Sequence, residues 1–193
     1  QAATFVNEGQ LADVFGPGTY TLSTQNMPVL TALKSWKYSF NSPFKADVFF
    51  VNTTNFTDLK WGTTNPVIMR DADFGMVRIR GFGNYAVKVG DPAVFLREIF
   101  GTKKEFTTDS ITGFLKTIIV SGLSDLLGES KIPVADLASS YDELSEQGAA
   151  RLQPKFESMG LKLTSLTIEN ISLPEEVEKM IDRRSSMNAL GNM

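Results

Sequence analysis

The sequence predicts an α+β fold, with an antiparallel sheet covered on one side and a set of helices packed beside it. Three observations predict it. Up to about residue 90, short apolar runs alternate at the two-residue period of strands and are cut by turn signals. From Asp91 onward, apolar residues recur at the 3.6-residue period of amphipathic helices. A last run of β-branched and leucine residues, 161–172, then leads straight into a helix start.

The strand-like half can be followed along the chain. "ATFVNEGQLADVFGPGTYTL" has a hairpin turn at Asn7-Glu8-Gly9 and a second tight turn at Gly16-Pro17-Gly18. "SPFKADVFFVN" alternates, with Phe44, Ala46, Val48 and Phe50 on one face. "MRDADFGMVRIRG" reads as strand, turn, strand, bending between Asp71 and Gly75. From Val77 to Val89 the odd positions are mostly apolar and the even ones mostly polar. That is long for one strand, so Gly81 and Gly83 are expected to mark a bend or bulge.

The helical half opens at Asp91-Pro92, an N-cap followed by proline at the first helical position. "AVFLREIF" follows, and Gly101 closes it. A longer helix starts near Thr108 or Asp109 and ends at Gly128, with Ile111, Phe114, Leu115, Ile118, Ile119, Leu123, Leu126 and Leu127 as its apolar positions. "SKIPVADLASS" predicts a short helical turn entered through Pro133. Tyr141, Leu144, Leu152 and Phe156 line a further helix, with a kink expected at Pro154 and a stop at Gly160. In the strand 161–172 the apolar face switches between Leu163 and Leu166, which predicts a bulge. Ser172 and Glu175 have the S-x-x-E spacing of a capping box, and Pro174 sets the first turn of the last helix. Leu173, Val177, Met180 and Ile181 form its apolar stripe, while Lys179, Arg183 and Arg184 gather toward its C-terminal end, where the helix dipole favours cations.

Composition excludes several classes of function. The 193 residues contain no Cys and no His, which removes Ser-His-Asp and Cys-His catalysis and any ordinary zinc site. The net charge of −3 argues against a nucleic-acid binder and weakens direct electrostatic docking on anionic lipid. By inspection no stretch reaches the ~20 apolar residues of a membrane helix. The chain opens on Gln1 without Met, which leaves room for an upstream anchor. Fourteen Phe residues promise a well-filled core.

The motifs that carry chemistry elsewhere all have a plainer reading here. "RDADFG", 70–75, places two carboxylates close together, but its Gly falls at the fifth position of a calcium loop instead of the sixth, and no Glu stands at the twelfth. It reads as a hairpin turn. "GFGNY", 81–85, contains G-x-G inside a continuing strand, so it lacks the strand-to-helix setting of a dinucleotide site. No phosphate-binding P-loop is present. The sequons at Asn52, Asn55 and Asn170 read as incidental. Carboxylate pairs and Ser-Lys pairs occur without a catalytic frame. No catalytic residue, metal ligand or cofactor is therefore assigned.

The order of these features resembles the SPFH or Band 7 domain of stomatins, prohibitins and flotillins. The matching residues are Gly9, Pro17-Gly18-Thr19-Tyr20, Tyr85-Ala86-Val87-Lys88-Val89, Asp91-Pro92, Gly160-Leu161 and Ile171 through Val177. "GTYTLSTQNMPVL", "SWKYSFNSPFKADVFFVNT", "FTDLKWGTTNP", "MRDADFGMVRIRGFG" and "GESKIPVADLA" resemble a prokaryotic, virion-core-like branch of that family. The resemblance implies a curved, mostly antiparallel sheet flanked by helices. It implies one domain over 1–182, strand-rich in 1–90 and helix-rich in 91–182. The last helix would then lead toward a coiled-coil arm and end in a flexible tail over 183–193.

The functional expectation from the resemblance is a non-enzymatic scaffold that organises lipids or partner proteins at membranes. Its partners would be further copies of itself in a ring or cage, and phage-shock-type membrane-stress proteins, with no nucleic acid. The place implied is cytoplasmic and peripheral to the membrane, held there through a partner or a segment outside this chain. Leu173, Val177, Met180 and Ile181 are the candidate oligomerisation residues. The runner-up expectation is a hydrolase using carboxylates or a Ser-Lys pair.

Overall fold

The computed structural model describes residues 1–7, 10–22, 27–29, 47–99 and 108–191. Among these are seven strands: β1 (Ala2–Asn7), β2 (Gln10–Phe15), β3 (Asp47–Val51), β4 (Phe56–Gly62), β5 (Val67–Asp71), β6 (Gly75–Val89) and β7 (Leu161–Ser172). The helices are α1 (Pro92–Ile99), α2 (Thr108–Glu129), α3 (Tyr141–Glu157) and α4 (Glu175–Gly191), with a 3-10 helix at Val134–Ser140. The fold is α+β with antiparallel sheets, as the sequence predicts.

The chain forms two compact units, and each takes segments from both halves of the sequence. One comprises residues 1–56, 87–106 and 155–162, and the other 57–86, 107–154 and 163–193. The boundary therefore does not follow the strand-rich and helix-rich halves of the sequence.

The first unit carries a three-stranded sheet in the order β2-β1-β3. β1 and β2 form a hairpin in which Asn7 faces Gln10, with an irregularity between Thr4 and Val6. Glu8 and Gly9, the expected turn residues, lie outside the described residues. Phe5, Ala12, Phe15 and Met27 form the core of this unit. Phe5 meets Phe15 edge-on at 5.4 Å, and the Tyr20 ring of the Pro-Gly-Thr-Tyr turn packs on Phe15 at 4.8 Å. On β3, Val48 and Phe50 share a side as expected but are 42% and 73% exposed, while Val51 is buried. Phe44 and Ala46 lie outside the described residues. α1 packs on β1 and β2 and buries Phe95, Leu96 and Ile99. The Asp91 cap forms as predicted: its Oδ1 accepts the N–H groups of Ala93 (3.0 Å) and Val94 (3.1 Å). Gly101 lies outside the described residues. Gly160 has φ +73°, and an added Cβ there would stand 2.4 Å from the Phe95 nitrogen, so the turn out of α3 requires glycine.

The second unit is organised around β6, which pairs with β4, β5 and β7. β6 runs as one 15-residue strand. Gly83 serves close approach: a Cβ there would lie 1.9 Å from the Thr167 carbonyl oxygen of β7. Trp61 fills the adjoining space and donates Nε1–H to that same oxygen at 3.1 Å. β5 and β6 form a hairpin with Asp71 opposite Gly75, the bend predicted from sequence.

α2 lays Leu115, Ile118, Ile119, Leu123 and Leu127 inward. Residues Asp109–Glu129 are long and apolar enough to cross a membrane by length and composition, which corrects the reading by inspection. The run is interrupted mostly by serine, threonine and glycine, and by only two internal charges, Lys116 and Asp125. Here the same residues cover part of the core, and only 28% of the apolar window is buried. α3 continues through Pro154 to Glu157.

β7 shows the predicted switch of face, with Leu161 and Leu163 buried and then Leu166 and Ile168. A second switch follows before Ile171. At the second switch α3 side chains take up strand N–H groups: Ser145 Oγ accepts from Ile168 (2.9 Å) and Tyr141 OH accepts from Ile171 (2.9 Å).

Candidate functional site

The last helix carries three of the expected oligomerisation residues, Val177, Met180 and Ile181, while Leu173 lies just before its first turn. Its start differs from the capping box that the S-x-x-E spacing predicts. Ser172 is still the final residue of β7, and its hydroxyl donates to the Arg80 carbonyl at 3.4 Å. The first turn is instead closed by the Pro174 carbonyl, which accepts from Val177 (2.9 Å) and Glu178 (3.1 Å). Glu175 pairs with Lys179 one turn on. The helix runs to Gly191, through most of the stretch expected as a tail.

Along its apolar stripe, Val177 is buried against its own unit, Leu173 and Ile181 are half-buried, and Met180 is 46% exposed. Met187, two turns beyond Met180, is 72% exposed. The stripe thus begins in the core and emerges into solvent. Arg184 fastens the helix to the β5–β6 turn through Asp73 (2.8 Å).

That turn also resolves the "RDADFG" carboxylates. Asp71 points inward and is 5% exposed. Its Oδ1 accepts from Asp73 N–H (2.8 Å) and Phe74 N–H (2.9 Å), and its Oδ2 from Val134 N–H (2.7 Å). Burial pushes the Asp71 carboxyl up, but the three N–H donors and the nearby Arg184 outweigh it and hold the carboxyl below its ordinary value. Asp73 points to Arg184 instead. The two carboxylates serve a turn and a helix dock and do not converge. Among the described residues no three acidic side chains gather as a metal site.

The features that would support hydrolysis are also dispersed. A groove of about 780 Å³ lies between the β4–β5 connection and the outer side of α2, lined by Thr64, Asn65, Ile68, Lys116, Ser121 and Ser124 among others. No hydrogen bond among the described residues joins Lys116 to either serine. Elsewhere, the Tyr85 hydroxyl is buried without a described partner, and burial pushes its phenol up to about 12. Glu129 and Arg151 form an exposed two-pronged pair (2.7 and 3.1 Å), and Arg151 holds the Glu129 carboxyl below its ordinary value.

Sequence reasoning missed Tyr141 and Ser145 as anchors of β7. Their helical i,i+4 spacing was visible, but nothing local announced which strand they would meet.

The comparisons with known proteins agree with the fold. The chain is 32% identical over 200 residues to the uncharacterized protein YdjI of Bacillus subtilis (strain 168). That match covers 100% of this chain and 60% of the relative, so the chain spans somewhat more than half of that protein's length. The profile of the SPFH domain-Band 7 family matches residues 1–189, nearly the whole chain and both of its compact units. The chain belongs to the SPFH domain-Band 7 family.

Proposed function

We propose that this chain is a non-enzymatic, oligomeric scaffold that organises lipids or partner proteins at the cytoplasmic surface of a membrane, in a membrane-stress response. SPFH domain proteins are typically membrane-associated and generally without enzymatic activity. The observation that carries the reading to this chain is the last helix. It starts anchored by Val177 and then presents Met180 and Met187 to solvent. A helix that leaves its own core with apolar residues exposed is suited to pairing with another copy. Further copies in a ring or cage, and phage-shock-type membrane-stress proteins, are the partners this reading implies. The dispersed serines, lysine and carboxylates offer no specific support for hydrolysis.

The test is solution mass by light scattering after size exclusion, over a concentration series. A discrete oligomer, or a mass that climbs with concentration, is expected. A strict monomer at every concentration overturns self-assembly by this chain.

A further inference from the structure

We infer that the open face of the sheet in the second unit binds an anionic phospholipid surface. This deepens the membrane reading above and rests on it. The outward residues of β6 are Met76, Arg78, Arg80 and Phe82, and those of β5 are Ile68 and Arg70. Cross-strand register sets Ile68 opposite Arg78 and Arg70 opposite Met76, so cationic and apolar side chains alternate as a checker. The three apolar members are 53%, 64% and 47% exposed for Ile68, Met76 and Phe82. All three arginines are exposed, and none has an ion pair among the described residues. Lys60 of β4 is exposed two residues before Gly62, which lies beside Phe82.

The acidic groups here are few. Glu169 of β7 is bonded to the Asn84 amide, Asp73 of the β5–β6 turn is paired with Arg184, and Asp58 shares the exposed alternation of β4 with Lys60. A chain with net charge −3 thus carries a local cationic face. The outward β6 residues alone span about 20 Å at the usual strand rise.

Arginine forks match phosphate oxygens, and side chains the size of Ile, Met and Phe suit the apolar layer just beneath the headgroups. Each half of the pattern needs the other: cations bring the face to an anionic surface, and apolar contacts hold it there. Two copies meeting face to face would bring their arginines together, which disfavours a symmetric dimer here. A nucleic acid would leave the exposed Ile68, Met76 and Phe82 without partners.

The test is co-sedimentation of the full chain with phosphatidylcholine vesicles and with vesicles that also contain phosphatidylglycerol. The chain is expected to pellet only with the anionic vesicles and to be released by salt. Arg70→Gln, Arg78→Gln and Arg80→Gln combined should lower the partition coefficient on the order of a hundredfold. Met76→Ser with Phe82→Ser should lower it severalfold, and Arg183→Gln should leave it unchanged. The single Arg78→Gln variant, expected to lose severalfold, serves if the triple variant unfolds by circular dichroism.

Failure of the wild type to pellet with anionic vesicles overturns the inference, as does equal pelleting by the arginine variants. Binding to soluble polyglutamate without vesicle binding points to an acidic protein partner and overturns it too. Light scattering on the same samples separates the two readings. An oligomer that ignores vesicles sinks the lipid face alone, and a monomer that binds through its arginines sinks self-assembly alone.

Discussion

At the scale of the residue, Asp71 is an acceptor shared by three backbone N–H groups, two in its own turn and one from Val134 at the entry to the 3-10 helix. Asp71→Ala leaves those donors without their acceptor and is expected to cost about 3 kcal/mol near neutral pH, read by urea unfolding. The pH dependence follows from its carboxyl being held below the ordinary value of 3.8. Over the interval between the folded and unfolded values, the unfolded chain binds the proton more readily. The ionised group's contribution is therefore full above the unfolded value and is lost as pH falls through the folded one. The gap between wild type and Asp71→Ala should narrow on acidification in that window. A gap that stays constant into strong acid would show that packing, not the carboxylate, makes the difference.

At the scale of the element, β6 and β7 are brought close by Gly83. Gly83→Ala would drive a methyl group into the Thr167 carbonyl, with Trp61 Nε1 3.0 Å away on the other side, so nothing nearby can yield cheaply. A loss of about 3 kcal/mol or more is expected by chemical denaturation. Gly75 is the control, since its φ of +74° is strained for other residues but an added Cβ meets nothing within 4 Å. Gly75→Ala should cost about 1 kcal/mol. Comparable losses at both sites would mean the strand pair can spread. Elements whose causes lie close in sequence were legible: the Asp91 cap, the Asp71–Gly75 hairpin and the change of face after Leu163. The Ser172 cap was misread because a four-residue spacing cannot show that β7 still holds Ser172. The glycines of β6 were expected to bend the strand because their true neighbours are remote in sequence: Thr167, for Gly83, is 84 positions away, and Asn170 and Ile171 stand against Gly81.

At the scale of the whole molecule, residues 155–162, the end of α3 and the start of β7, group with the N-terminal strands although the rest of both elements belongs to the other unit. No local pattern reveals that assignment, so the interleaving of the units had no sequence signature. The candidate assembly site was legible as a stripe, but not the depth at which each member sits. That depth decides how to test it. Val177 is 8% exposed, so Val177→Ser should lower stability by about 2 kcal/mol whether or not the chain assembles. A loss of oligomer in that variant alone is ambiguous. Met180 is 46% exposed and Ile181 half-buried, so they can be changed with much less damage to the core. Met180→Ser with Ile181→Ser is expected to reduce oligomer mass by light scattering while the thermal midpoint moves by only a few degrees. If mass holds and the midpoint drops as far as in Val177→Ser, the stripe belongs to its own fold. The assembling surface must then be sought elsewhere, beginning with the exposed Val48 and Phe50 of β3, an edge strand of the three-stranded sheet.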